Sequence, residues 1–151
     1  MRVACDPEDV LVIREVSIDD AGAAAQLSGE LGYPASTEVM EQRIRDLANR
    51  PDHTVYVACL EDMIVGWIDV GLAYHFQAEP YAEIGGLVVS SNARSNGIGR
   101  RLVAQAERWA RERGVSRVVV RSRINREGAH RFYEREGYSR VKTSAVFSKI
   151  L

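Results

Sequence analysis

The apolar positions of the chain change period several times, and each change marks an element. Val10 to Val16 is a short apolar run that reads as a strand. Asp19-Asp20 then offers an N-cap for a helix through Ala23, Leu27 and Leu31, stopped at Gly32 with Pro34 beyond. Ser36 or Thr37 starts a second helix through Met40, Ile44 and Leu47, and Pro51 stops it. Residues 54–60 and 64–74 read as strands joined by the tight turn Glu61-Asp62-Met63, which predicts an antiparallel hairpin, and another strand follows at about 82–89. From Gly97 to about Arg113 the apolar residues Ile98, Leu102, Val103, Ala106, Trp109 and Ala110 share one helical face, closed by Gly114. Val115 to Arg121, with Val118-Val119-Val120 at its centre, reads as a buried strand; 126–136 as a helix ended by Gly137; and 144–150 as a last strand. The order β-α-α-β-β-β-α-β-α-β predicts a mixed α/β fold in which an antiparallel front half meets a βαβ crossover. With no repeat, low-complexity tract or Pro/Gly/Ser linker, residues 1–151 are expected to form a single domain.

Composition narrows the class. A length of 151 residues with 46% apolar and 27% charged residues is that of one globular domain with a buried core. No stretch approaches a membrane span, and Asp6, Glu8 and Asp9 break the basic-then-apolar order of a signal peptide, so a cytoplasmic protein without a membrane partner is expected. Cys5 and Cys59 stand far apart with no CxxC and no Cys/His cluster, which predicts reduced thiols and no metal.

The net charge of −1 conceals an asymmetry. Residues 1–93 hold 16 acidic against 5 basic residues, whereas 94–151 hold 15 basic against 5 acidic, with 13 arginines between Arg94 and Arg140. That half is built to meet an anion, unless the arginines merely solvate helix faces. A general nucleic-acid partner is not expected, because the first half is acidic, the pI is about 6.3, and the exposed interleaved aromatics of a single-strand platform are missing. A small polyphosphate ligand fits better.

The sharpest motif sits at the crossover, where Leu87-Val88-Val89 leads through a loop into Arg94-Ser95-Asn96-Gly97-Ile98-Gly99-Arg100-Arg101. Unpaired N–H groups and the positive end of a helix dipole favour an anion there, and the glycines let a phosphate approach the backbone. Two commoner phosphate loops are excluded by the residues themselves. A dinucleotide fingerprint needs a glycine where Leu102 stands, and a P-loop needs Gly-Lys-Ser/Thr, whereas the only lysines are Lys142 and Lys149.

This RxxGxG run after an apolar strand, followed by the helix Ala129-His130-Arg131-Phe132-Tyr133-Glu134-Arg135-Glu136-Gly137-Tyr138, resembles the GNAT superfamily of N-acetyltransferases over essentially the whole chain. The resemblance implies acetyl-CoA-dependent transfer of an acetyl group to an amine, without a metal. It places the pyrophosphate on Arg94, Ser95, Asn96, Gly97, Ile98, Gly99 and Arg100. The pantetheine arm would bond the backbone of Leu87, Val88 and Val89 in a cleft where their strand splays from the one near 118–121. Gly85-Gly86 would supply the bulge that opens this cleft. Many family members carry an asparagine three residues before the alanine of the AxxFY helix, and this chain has Arg126 there. Either Asn125 reaches the cofactor after a one-residue shift or Arg126 takes over with a charged contact.

The chemistry asks for a base, an oxyanion donor and an acid. By resemblance Tyr133 is the acid for the departing thiolate, and the plain alternative is a tyrosine that belongs to the core. The N–H of Val89 is the expected oxyanion donor. Glu83 is the expected base, eleven residues before Arg94, where histone acetyltransferase branches of the family carry a catalytic glutamate. Its apolar neighbours Ile84, Leu87 and Val88 would favour a raised pKa. The alternatives are a solvent-facing Glu83 and His75 as rival base. The acceptor pocket is expected from Gly32–Thr37 and Tyr74–Tyr81, whose aromatics Tyr33, Tyr74, Phe76 and Tyr81 stand with the acids Glu38 and Glu79 and suit a cationic amine of a small molecule or peptide. A homodimer is expected. The competing class is a non-catalytic acyl-CoA-binding or sensing domain, which would keep the Arg94 to Gly99 loop and have no use for Glu83 and Tyr133.

Overall fold

A computed structural model describes residues 11–94 and 96–151; the first residue of the predicted opening strand, Val10, and Cys5 and Ser95 lie outside the described residues. The chain divides into two compact units, the first ending at Val120 and the second comprising Arg121–Leu151.

The first unit is one five-stranded sheet in the order β1-β2-β3-β4-β5, formed by Leu11–Glu15, His53–Leu60, Met63–His75, Ala78–Val89 and Val118–Val120. The first four strands are antiparallel and β5 joins β4 in parallel, so the predicted crossover is present. Glu61 and Asp62 both take positive φ (50° and 66°), which makes the β2–β3 turn a two-residue hairpin, with Met63 already in the strand.

Helices α1 (Ala21–Leu31) and α2 (Thr37–Ala48) lie between β1 and β2, and α3 (Ile98–Glu112) between β4 and β5. One sheet face, carrying Val57, Trp67 and Val88, is covered by α1, where the Trp67 indole N–H donates to the Ala24 carbonyl at 3.2 Å. The other face, carrying Tyr56, Ala58, Ile68, Val70 and Ile84, is closed by the apolar stripe of α3, whose Ile98, Leu102, Val103, Ala106, Trp109 and Ala110 are all buried as the pattern predicts.

The start of α1 departs from expectation. A short 3₁₀ turn, Ile18–Asp20, precedes it, and Asp20 makes no cap bond to α1. Its carboxylate instead accepts two hydrogen bonds from Arg14 on β1, at 2.7 and 2.9 Å, and one from the Ser17 N–H at 2.8 Å. Those bonds, led by Arg14, hold the buried Asp20 below the usual carboxylate range. Ser36 does cap α2, accepting from the Val39 N–H at 3.1 Å.

The second unit contains α4 (Glu127–Arg135), closed by Gly137 at φ 94°. The strand expected at 144–150 is not formed: residues 141–151 have no regular structure, and Val146, Phe147 and Ile150 are about nine-tenths exposed. A β-type sequence states which surface suits a pleat but supplies no partner strand, and without a ladder the pattern does not fold. Among the described residues no helix is long and apolar enough to cross a membrane.

Candidate active site

β4 is held by β3 along its length, but β5 covers only Ala82, Glu83 and Ile84. From Gly85 to Val89 the opposite edge of β4 carries no strand partner among the described residues. The change falls at a bulge: Asp69 pairs with Gly86 and Val70 with Ile84, leaving Gly85 as the extra residue. The Ser90 N–H donates to the Val65 carbonyl at 2.7 Å, so the alternation of the ladder turns the backbone groups of Leu87 and Val89 toward the open edge. Val88, between them, pairs with Trp67 and has a buried side chain.

That edge runs into the head of α3. Gly97 takes φ 73° at the N-cap, a left-handed conformation natural to glycine, and contributes no capping side chain. The first helical bond runs from the Arg101 N–H to the Gly97 carbonyl at 3.1 Å, so the N–H groups of Ile98, Gly99 and Arg100 have no partner within the helix. Ile98 is buried and fixes the helix end, Asn96 ties the loop to the Ala93 carbonyl at 3.2 Å, and Arg94 and Arg100 are exposed. Arg94 Nε donates to the Val89 carbonyl at 3.3 Å, which links loop and strand. Arg101 is directed elsewhere, bonding the Leu11 carbonyl of β1 at 3.2 Å.

On the α1 face, one row of the sheet runs His53, Gly71, Glu83 and Val119 across β2, β3, β4 and β5. Glu83 is half-buried. Sequence reasoning singled it out and missed its neighbours: His53 Nε2 is hydrogen-bonded to Asp69 Oδ1, and both side chains are 29% exposed. This hydrogen bond raises the His53 pKa, against the opposing effect of burial. The available signal was glycine inside strands, which marks close approach. A methyl group on Gly71 would stand 2.6 Å from His53 Nδ1, one on Gly85 would collide with Asp69 Oδ2, and one on Gly86 would stand 2.9 Å from the Trp67 ring.

His75, the rival base, pairs with Ala78 at the far end of the β3–β4 hairpin. Its Nε2 is 3.0 Å from the Tyr81 hydroxyl and its ring stacks on that of Tyr81, which Arg117 covers from 4.8 Å. It stands four residues along β3 from Gly71, roughly 13 Å at strand rise. Tyr33, Tyr74 and Phe76 are exposed, and so are Glu38 and Glu79, whereas Tyr81 is buried.

In the second unit, Tyr133 lies on α4 in edge-to-face contact with Phe132 and Tyr138, at 5.2 and 5.8 Å between centroids. Burial raises its phenol pKa, and the charge of Arg126 pulls it partly back. Arg126 occupies the N-cap position of α4, and Asn125 lies exposed in the turn before it. His130 joins this turn to α4, donating from Nε2 to the Arg123 carbonyl at 2.9 Å and accepting from Arg140 at Nδ1 at 3.0 Å. Ser122 Oγ is buried without a hydrogen-bond partner among the described residues, a group the sequence did not advertise.

The sequence model of the acetyltransferase (GNAT) family matches residues 23–138. The chain belongs to the GNAT acetyltransferase family. It is 34% identical over 143 residues to the aminoalkylphosphonate N-acetyltransferase of Salmonella typhimurium, covering 91% of each chain. It is 25% identical over 138 residues to an aminoglycoside N(6')-acetyltransferase type 1 of Serratia marcescens, covering 88% of this chain and 94% of the other. Its fold matches the solved structure of the aminoglycoside N-acetyltransferase AAC(6')-Iy in complex with CoA, with TM-score 0.82, 14% identity, and coverage of 92% and 94%. The mixed α/β architecture is thus the GNAT fold, and the protein is an N-acetyltransferase.

Proposed function

We propose that this GNAT enzyme transfers the acetyl group of acetyl-CoA to a primary amine of a small molecule. The observation that carries the reading is the open edge of β4, which delivers the backbone of Leu87 and Val89 directly into the glycine-bearing head of α3. An extended amide-bearing arm ending in a pyrophosphate suits that sequence of groups: strand N–H and C=O along the edge, then helix N–H groups with Arg94 and Arg100 at the end. Ser95 and Asn96 belong to the same loop, and by the family resemblance either Asn125 or Arg126 would also contact the cofactor. Acetyl-CoA, when bound, supplies the activated thioester carbonyl.

The residues then divide the work. The Glu83 carboxylate takes a proton from the ammonium so that the amine nitrogen can attack; as the C–N bond forms and the C–S bond breaks, Tyr133 gives its proton to the thiolate. The raised pKa of Tyr133 suits this part, since the phenol stays protonated at neutral pH. Of the two open-edge donors, Leu87 stands about 13 Å from Glu83 along the strand and Val89 about 20 Å. Base and oxyanion donor act on one centre, so Leu87 N–H takes the oxyanion and Val89 the arm behind it.

The relatives named for aminoalkylphosphonates and aminoglycosides direct the choice of acceptor toward amines on charged or polyhydroxylated small molecules, and the exposed Tyr33, Tyr74, Glu38 and Glu79 suit a cationic amine. The same reading keeps residues 1–151 as one acetyltransferase domain and expects a cytoplasmic homodimer. The test is a mass-spectrometric screen of the protein with acetyl-CoA and an amine pool that includes 2-aminoethylphosphonate and sisomicin. An acetylated amine with matching thiol release is expected. Binding of acetyl-CoA with no acetylated product across the pool would overturn it.

A further inference from the structure

We propose that His53, oriented by Asp69, receives the proton that Glu83 removes from the amine and hands it to solvent. This rests on the reading of Glu83 as the base. His53, Gly71 and Glu83 are consecutive in one row of the sheet and share its α1 face. Between His53 and Glu83 stands only a glycine, and the imidazole leans into the space this frees: Nδ1 lies where a side chain of residue 71 would be. Gly85, the bulged residue, makes the corresponding room for the Asp69 carboxylate. Two close approaches therefore converge on one His–Asp pair.

The hydrogen bond sets the tautomer. With Nε2–H donated to Asp69, the neutral imidazole carries its lone pair on Nδ1, which lies over Gly71, the residue between His53 and Glu83 in the row. The proton passes from ammonium to carboxylate and from carboxylate, through water in the space above Gly71, to Nδ1; the resulting imidazolium stands against Asp69 and releases the proton to water through its exposed part. Glu83 returns to the carboxylate and no other reactant is needed. Asp69 touches no substrate and is a positioning residue. The charges that act on His53 are Asp69 on β3 and Arg50 and Asp52 before β2, and Glu83 on β4 stands beyond Gly71 in the same row. Asp69 favours the imidazolium most, Asp52 adds to this, and burial and Arg50 oppose it.

The test begins with ¹⁵N-edited NMR of the full-length protein without ligands. Neutral His53 is expected to show a protonated Nε2 and a lone pair on Nδ1, and its titration midpoint is expected to fall in Asp69→Asn and also in Glu83→Gln. A midpoint unmoved by Glu83→Gln, or a proton on Nδ1 in the neutral form, overturns the relay. The kinetic arm uses sisomicin and 2-aminoethylphosphonate as amine probes. His53→Gln is expected to lose on the order of 10-fold to 100-fold in turnover at neutral pH, with acetyl-CoA affinity kept and the loss shrinking as pH rises. Wild-type turnover in folded His53→Gln beside a crippled Glu83→Gln overturns the relay and leaves the function standing. A wild-type protein that binds acetyl-CoA and acetylates neither probe overturns the base assignment and the relay together, while the NMR arm reports the His53 environment by itself.

Discussion

Glycine serves two different ends in the first unit. At the head of α3, Gly97 is present for its backbone: φ is 73°, and it contributes no capping side chain. On β3 and β4, Gly71, Gly85 and Gly86 lie in strands at no left-handed angle, and matter because a neighbour's side chain occupies the space a Cβ would fill. The first region is the proposed seat of the pyrophosphate. The second makes room for His53, Asp69 and Trp67 on the sheet face proposed to take the amine. Binding energy for the cosubstrate and proton chemistry for the acceptor are therefore expected to respond to different substitutions.

The sharpest way to separate them is Glu83→Gln, expected to lower turnover at neutral pH by about 100-fold to 10,000-fold while calorimetric affinity for acetyl-CoA holds. Tyr133→Phe comes next. Its ring keeps the contacts to Phe132 and Tyr138, so stability should shift by roughly 1 kcal/mol, and turnover by a factor on the order of 100. A folded variant at wild-type rate would return Tyr133 to the core. Gly71→Ala pushes a methyl group into the His53 ring and is expected to cost about 1–3 kcal/mol in denaturant unfolding. A Gly71→Ala variant with unchanged stability and an unmoved His53 NMR signal would deny the close approach.

A last stability effect, with no change in turnover, lies away from both regions. Asp20→Asn should cost about 1–3 kcal/mol by breaking the charged hydrogen bonds from Arg14 and Ser17. Because the folded pKa of Asp20 is depressed, its contribution is present above the unfolded value and disappears as pH falls through the folded one. The variant's stability should therefore fall less than that of the wild type on acidification, as followed by thermal unfolding.

How much of this could be read in advance follows the same division. The α3 head is local: strand, loop, RxxGxG and an amphipathic stripe stand within thirty residues and point to one geometry. The place of Glu83 on the strand leading to that motif was legible in the sequence. The His53–Asp69 pair was not, because it joins residues sixteen apart whose meeting depends on the β2–β3 register and on a bulge that the letters Gly85-Gly86 suggest without saying what they admit. The expected strand at 144–150 failed for the complementary reason, since the apolar run Ala145-Val146-Phe147 is local and a partner strand is not. Asp19-Asp20 promised a helix cap, and Arg14 on β1 captured the carboxylate first.

The most direct measurement is a calorimetric titration of acetyl-CoA into the wild type, Gly99→Glu and Glu83→Gln side by side. Gly99→Glu places a side chain and a negative charge among the first-turn N–H groups of α3, and its affinity is expected to fall by about tenfold or more, while Glu83→Gln binds as the wild type does. Equal affinity in all three would contradict the placement of the pyrophosphate at the head of α3, and with it the separation of cosubstrate binding from amine chemistry.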